Sequence, residues 1–302
     1  MYQVDSLIIK RYKVLQAPDP ANNILAGGMG MVYFCHDTKE NRPVALKFIK
    51  PELLSDRSKR EHFLDEGKAW IDLGYHPNIV RCYDVKNVDP NVFLVLELID
   101  KEQGMKDASL RAWLDHGPIP LNHALLFSLQ IARGMQYATD KIPGLVHRDL
   151  KPENLLIGTD KVAGTNVNRL RVTDFGLVRK VIDSIQSVQE PAPEFIKHEQ
   201  LQYTQNAGTL GYMAPEQIEG KSLGVFTDIY ALGCILYEML TLQRGSHYLI
   251  SQHLFEPIRN FLSRSMAANP KDRYQTWTEV TARARRYLFS TWCCSDSIVF
   301  PY

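Results

Sequence analysis

The string Val146-His147-Arg148-Asp149-Leu150-Lys151-Pro152-Glu153-Asn154 is dense in side chains able to do chemistry. A carboxylate at 149 can accept a proton, and a cation follows it at Lys151. Asn154, and Asp174 twenty residues further on in Asp174-Phe175-Gly176, offer the hard oxygen atoms that a small divalent cation prefers. Upstream, Ala26-Gly27-Gly28-Met29-Gly30-Met31-Val32-Tyr33 has glycines that would let backbone N–H groups approach phosphate oxygens; a tight hairpin turn fits them equally well. Two further charges lie on apolar faces. In Val44-Ala45-Leu46-Lys47-Phe48-Ile49 the alternation puts Lys47 beside Ala45 and Ile49, and on the next helix Glu66 shares a stripe with Phe63, Trp70 and Leu73. Either they pair across a strand–helix contact, which offsets the cost of burying each, or each reaches solvent at an edge.

These residues need a scaffold, and the sequence describes one. Strand-like runs occur at 12–15, 31–35, 44–49, 80–85 and 92–99, with a turn over Asp37–Asn41 predicting a hairpin. One helix interrupts them at 56–73, stopped by Gly74 with Pro77 beyond. From Ser109 onward apolar residues recur at helical spacing, over 121–139, 223–241, 256–266 and 277–289. The fold class is therefore α+β: a small sheet-rich lobe, then a larger helical lobe, joined near Asp100–Asp107. The polar stretch 178–205 reads as a long functional loop.

Composition excludes several classes. A chain of 302 residues, 45% hydrophobic and 23% charged, is long enough for two lobes sharing a cleft. The formal net charge of +1 gives no global attraction to nucleic acid or to an anionic membrane, and neither partner is expected. The apolar stretch Phe226–Leu242 is interrupted by Asp228 and Glu238, so it reads as a buried helix and no membrane insertion is expected. Five cysteines without metal spacing or a secretory leader read as reduced thiols, which makes the expected setting cytoplasmic.

The order of these strings resembles the eukaryotic-type (Hanks-type) serine/threonine protein kinases, with glycine-loop wording similar to the bacterial branch. A glycine-rich hairpin precedes Val-Ala-Leu-Lys. His147-Arg148-Asp149 with Asn154, then Asp174-Phe175-Gly176, then Ala214-Pro215-Glu216 follow in the family's order. The resemblance implies a bilobal protein kinase fold over 11–288, with a small lobe to about residue 100, an extension at 1–10 and a tail at 289–302 of unassigned role. It implies ATP and Mg²⁺, with Mn²⁺ as an alternative, and transfer of the γ-phosphoryl group to serine or threonine hydroxyls of protein substrates, the chain itself among the expected targets. Oligomeric state stays open. By the same resemblance Asp149 orients the hydroxyl and takes its proton, and Lys151 supports the transferring group. Asn154 and Asp174 hold metal, and Lys47, positioned by Glu66, holds the α- and β-phosphates. Gly27, Gly28 and Gly30 cover the phosphates, and Val32 and Ala45 cover the base. Leu96 is the gatekeeper, and the backbones of Glu97 and Ile99 bond the adenine. Thr209 lines the acceptor site, and Thr204 or Ser187 is a candidate for autophosphorylation that Arg148 would meet. Glu216 with Arg273, and Asp228 beneath the catalytic loop, are structural ions.

Three departures temper the resemblance. Leu25 stands where the loop's first glycine belongs, residues 17–23 lengthen the first connection, and only 45 residues separate Asp228 from Arg273. A scaffold without activity on the same fold is the alternative reading, distinguished by whether Asp149→Asn changes ATP turnover. A small-molecule kinase is a third, disfavoured by Lys151-Pro152-Glu153 and Ala214-Pro215-Glu216.

Overall fold

A computed structural model describes residues 2–16, 25–26, 30–49, 57–88, 91–175, 210–244 and 252–292. Gly27, Gly28, Gly176, Ser187, Thr204, Thr209 and the tail from 293 lie outside these residues, as does the side chain of Glu66.

The first lobe is an antiparallel sheet of β1 (Leu7–Ile8), β2 (Tyr12–Val14), β3 (Leu25–Ala26), β4 (Gly30–Asp37), β5 (Arg42–Ile49), β6 (Cys82–Val88) and β7 (Asn91–Glu97), in the order β1-β2-β4-β5-β7-β6 with β3 on β4. Alternation explains its two dry faces. Tyr33, Cys35, Val44, Leu46, Phe48, Phe93 and Val95 turn outward into a core closed by Ile8, Tyr12 and Val14. Phe48 stacks on Phe93 at 4.7 Å, and Tyr2 packs edge-on to Tyr33 at 5.5 Å. Residues 2–10, expected to be an extension, thus form part of this lobe. The opposite face carries Ala45, Leu94 and Leu96 toward the second lobe.

Helix α1 (Arg57–Leu73) packs on that inner face. Its closest approach is at Gly67, where a Cβ would stand 2.6 Å from Leu94 Cδ2. Trp70 is buried and donates its indole N–H to the carbonyl of Val80 at 2.8 Å, fixing the helix to the chain that leads into β6.

The second lobe contains α2 (Leu110–Leu114), α3 (Leu121–Lys141), α4 (Pro215–Ile218), α5 (Val225–Thr241), α6 (Glu256–Ser265) and α7 (Trp277–Trp292). Ser109 caps α2 by accepting from Ala112 N at 3.2 Å. α5 is buried almost all round, as its continuous apolar run requires, and α3 lies between it and α7. No helix among the described residues is long and apolar enough to cross a membrane.

Between the lobes runs a two-stranded hairpin absent from the sequence reading: β8 (Leu155–Val162) against β9 (Thr165–Val172), in register from Leu155↔Val172 to Val162↔Thr165. Its base is core, with Leu155, Ile157, Leu170 and Val172 buried. Val80 N donates to Val172 O and Val172 N to Asn78 O, both at 2.9 Å, which joins the hairpin to the chain after α1.

Candidate active site

The hairpin places both polar strings. β8 begins directly after Asn154, and β9 ends two residues before Asp174, so one antiparallel pairing brings the two to the same end. Thr173 N donates to Asn154 O at 3.0 Å and closes the gap.

The loop from His147 to Asn154 is held from below by Asp228, in the first turn of α5. Its carboxylate accepts from His147 N at 2.7 Å and from Arg148 N at 2.9 Å. Burial pushes that carboxyl above its ordinary value, against the opposing charges and N–H groups of His147 and Arg148. His147 Nε2 lies 3.0 Å from Thr173 O, and Asp149 N donates to Nδ1 of the same ring. Phe175 fills the space above, 5.0 Å from the His147 ring and 5.5 Å from Trp70, so α1 and the loop share one aromatic contact. Arg148 and Asp174 both have positive φ, 68° and 65°, backbone that few non-glycine residues adopt.

Within this frame Lys151 Nζ lies 2.9 Å and 2.8 Å from the two oxygens of Asp149. Asn154 donates Nδ2 to Asp149 O at 2.8 Å and to Oδ2 at 3.0 Å. Both amide hydrogens are thereby used, and the Asn154 carbonyl oxygen is left as its acceptor. From the other lobe, Lys47 Nζ reaches Asp174 Oδ1 at 2.5 Å. Val32, Lys47 and Leu94 are cross-strand partners in one row, and Ala45 pairs with Leu96 in the next, so the lysine shares a sheet face with the residues expected to cover the base. Ile99 follows β7 and is buried, and Glu97 is its last residue.

The two carboxylates are driven apart electrostatically. Burial raises Asp149, opposed by Lys151 and reinforced by the nearby charge of Asp174. For Asp174 burial acts upward, but Lys47, His147 and Lys151 together outweigh it and hold the carboxyl below its usual range. Among the described residues no three His, Cys, Asp or Glu side chains cluster as a metal cage. The donor set suits an ion held by one or two protein oxygens and completed by phosphate and water, the habit of Mg²⁺.

The expected pair Glu216–Arg273 is present. Arg273 Nη1 and Nη2 lie 2.7 Å and 2.9 Å from the two Glu216 oxygens, in a site closed to solvent. Sequence reading missed a second buried network. Arg111, at the start of α2, reaches Glu153 Oε1 at 2.9 Å, Glu238 Oε1 at 2.8 Å and Tyr212 OH at 2.5 Å, and Tyr212 in turn donates to Glu238. The signal was available: Glu238 breaks an apolar run, and a carboxylate there needs a cation.

The family described as "Protein kinase domain" matches residues 21–297. Serine/threonine-protein kinase PknB of Mycobacterium leprae is 29% identical over 280 residues, covering 85% of this chain. A probable serine/threonine-protein kinase of Streptomyces coelicolor, SCO3848, is 32% identical over 222 residues, covering 72%. The chain spans only 40% and 29% of those two relatives. The crystal structure of the Mycobacterium tuberculosis PknI kinase domain superposes with a TM-score of 0.65 at 21% identity, covering 94% of this chain and 99% of that one, a likeness of fold. The chain belongs to the protein kinase domain family, on the Hanks-type branch that holds these bacterial serine/threonine kinases.

Proposed function

We propose that this chain transfers the γ-phosphoryl group of ATP to serine or threonine hydroxyls of protein substrates. The observation that carries the proposal is the convergence of Lys47, Asp149, Lys151, Asn154 and Asp174, drawn from separate stretches of sequence, at one cleft between sheet and helices.

Phosphoryl transfer asks the protein mainly to position groups and to neutralise charge. Asp149, held by Lys151 and Asn154, points a carboxylate at the cleft and takes the hydroxyl proton as the oxygen attacks phosphorus. Its raised pKa makes it a better base than an ordinary carboxylate, whereas the depressed pKa of Asp174 keeps that group ionised as a cation ligand. Asn154 Oδ1 and Asp174 would hold Mg²⁺, or Mn²⁺ in its place, which supplies positive charge to the phosphates when bound. Lys47 would hold the α- and β-phosphates, a reading supported by its bond to Asp174, the expected metal ligand. Val32, Ala45 and Leu96 would enclose adenine, with the backbones of Glu97 and Ile99 as its hydrogen-bond partners.

The test is transfer of labelled γ-phosphate to a generic basic protein, followed by phosphoamino-acid analysis. Phosphoserine or phosphothreonine from the native chain, lost in Asp149→Asn, is the expected result. Equal labelling by both proteins, or label on tyrosine alone, would contradict the reading.

A further inference from the structure

We propose that the hairpin β8–β9 braces the connection between the lobes, and that Arg171 is a positioning residue for nucleotide binding through it. The proposal rests on the reading of the cleft as an adenine nucleotide site.

Residues 98–108 connect β7 to the cap of α2 without any helix or strand. Such a segment is entropically costly to order, yet it begins directly after Glu97 and holds Ile99, the two residues whose backbones would bind the base. The hairpin touches it along its length. At Gly158 a Cβ would stand 2.7 Å from Ile99 Cγ2 and 3.4 Å from Asp100 O, so β8 runs directly beneath the connection. Ile157 N donates to Ala108 O at 2.7 Å, and Thr159 bonds the Glu102 carboxylate.

Arg171 sits at the centre of these contacts and is 8% exposed. Its Nη2 lies 2.5 Å from Asp160 Oδ1, across the hairpin, and its Nε 3.6 Å from Glu97 Oε1. The other Glu97 oxygen accepts from Arg81 N at 3.1 Å, and Glu97 N donates to Arg81 O at 2.8 Å. Glu97 is thus held from both sides, by Arg81 just before β6 and by the hairpin. Asp160 also takes Arg169, so it stays paired when Arg171 is removed. A buried guanidinium is expensive without partners; here its planar fork joins two carboxylates on different elements, a geometry lysine does not reproduce. The consequence is a backbone ordered before nucleotide arrives, so binding loses less freedom.

The experiment compares the native chain with Arg171→Met, Arg171→Lys and Asp160→Asn, measuring affinity for adenosine and for ATP, then steady-state kinetics. Arg171→Met is expected to weaken adenosine and ATP by the same factor, about five- to tenfold, with kcat changed less than about twofold. Arg171→Lys should fall between, and Asp160→Asn should move affinity the same way by less. Melting curves confirm that each variant is folded at the assay temperature. A folded Arg171→Met that binds adenosine with native affinity overturns the brace, as does a loss confined to ATP. A native chain that binds adenosine and ATP but transfers no phosphate overturns the proposed function and leaves the brace standing; one that binds neither overturns both.

Discussion

Two ion pairs of similar chemistry hold this molecule together in different ways. Glu216 and Arg273 are 3% and 0% exposed, and every guanidinium N–H is engaged: Nε with Ala267 O, Nη1 with Glu216 and Phe226 O, Nη2 with Glu216 and Ala268 O. Thr227 adds a bond to the same carboxylate at 2.9 Å. Lys47 and Asp174 are 12% and 17% exposed, and among the described residues they share a single hydrogen bond. The closed pair has no capacity left for a ligand. Among the described residues the open pair leaves two ammonium donors and a carboxylate oxygen unused, which is the valence a metal–nucleotide would take. Saturation, more than the presence of a pair, separates a structural ion from a functional one.

The largest effect should come from breaking the open pair. Lys47→Met is expected to lower phosphoryl transfer by about a hundredfold or more while the unfolding midpoint barely moves, because it removes charge positioning and little packing. Activity above about a tenth of native in a transfer assay would contradict the role. Breaking the closed pair should do the reverse. Glu216→Ala strands the Arg273 guanidinium in a dry site and should cost about 3–5 kcal/mol in denaturant unfolding. An unchanged midpoint would count against the pair's structural role.

A pH series sharpens the contrast. Transfer by Asp149 requires its carboxylate ionised, so the rate should fall as pH drops through a pKa that burial has raised above the ordinary 3.8. Lys151 opposes that rise, so Lys151→Ala should move the acid limb of kcat/KM to higher pH, in addition to lowering the plateau. A limb at the native position would mean that the two groups are uncoupled.

The smallest effect concerns a half-buried neutral group. Burial, with Arg133 and Arg169 nearby, lowers His76 from 6.5 to about 4, and its Nδ1 accepts from Asn78 N at 3.1 Å. The unfolded chain therefore takes that proton first, and stability should decline as pH falls from 6.5 toward 4. His76→Gln keeps an acceptor without titrating there and should flatten the decline in urea midpoints.

Sequence carried the active cleft further than it carried the scaffold around it. Asp149, Lys151, Asn154 and Asp174 were legible because phosphoryl transfer favours their residue types and the order of their strings resembles the protein kinases. α1, α3 and α6 were legible because each buries one broad apolar face at the helical period, and α5 because its apolar run is long and nearly continuous. The hairpin β8–β9 was not, since its outer half from Thr159 to Asn168 is polar and leaves only short apolar runs at Leu155–Ile157 and Leu170–Val172. Residues 2–10 were equally opaque. Ile8 is fully buried, but it contributes one apolar side chain to a two-residue strand whose partner lies beyond a turn. Arg111 was missed for a different reason: its three partners come from a loop, a turn and a distant helix, and only the fold assembles them. Lys47 was expected opposite Glu66. Its described partner is Asp174, 127 residues away, a pairing that no local pattern specifies.

The central claim is that the open pair receives a metal–nucleotide, with Asp174 as a ligand of its metal and Lys47 on its phosphates, and a calorimetric titration of ATP with and without Mg²⁺ tests it most directly. The native chain should bind ATP more tightly when Mg²⁺ is present, and Asp174→Asn should bind ATP while losing that enhancement. An Asp174→Asn chain that keeps the full Mg²⁺ enhancement would contradict the account.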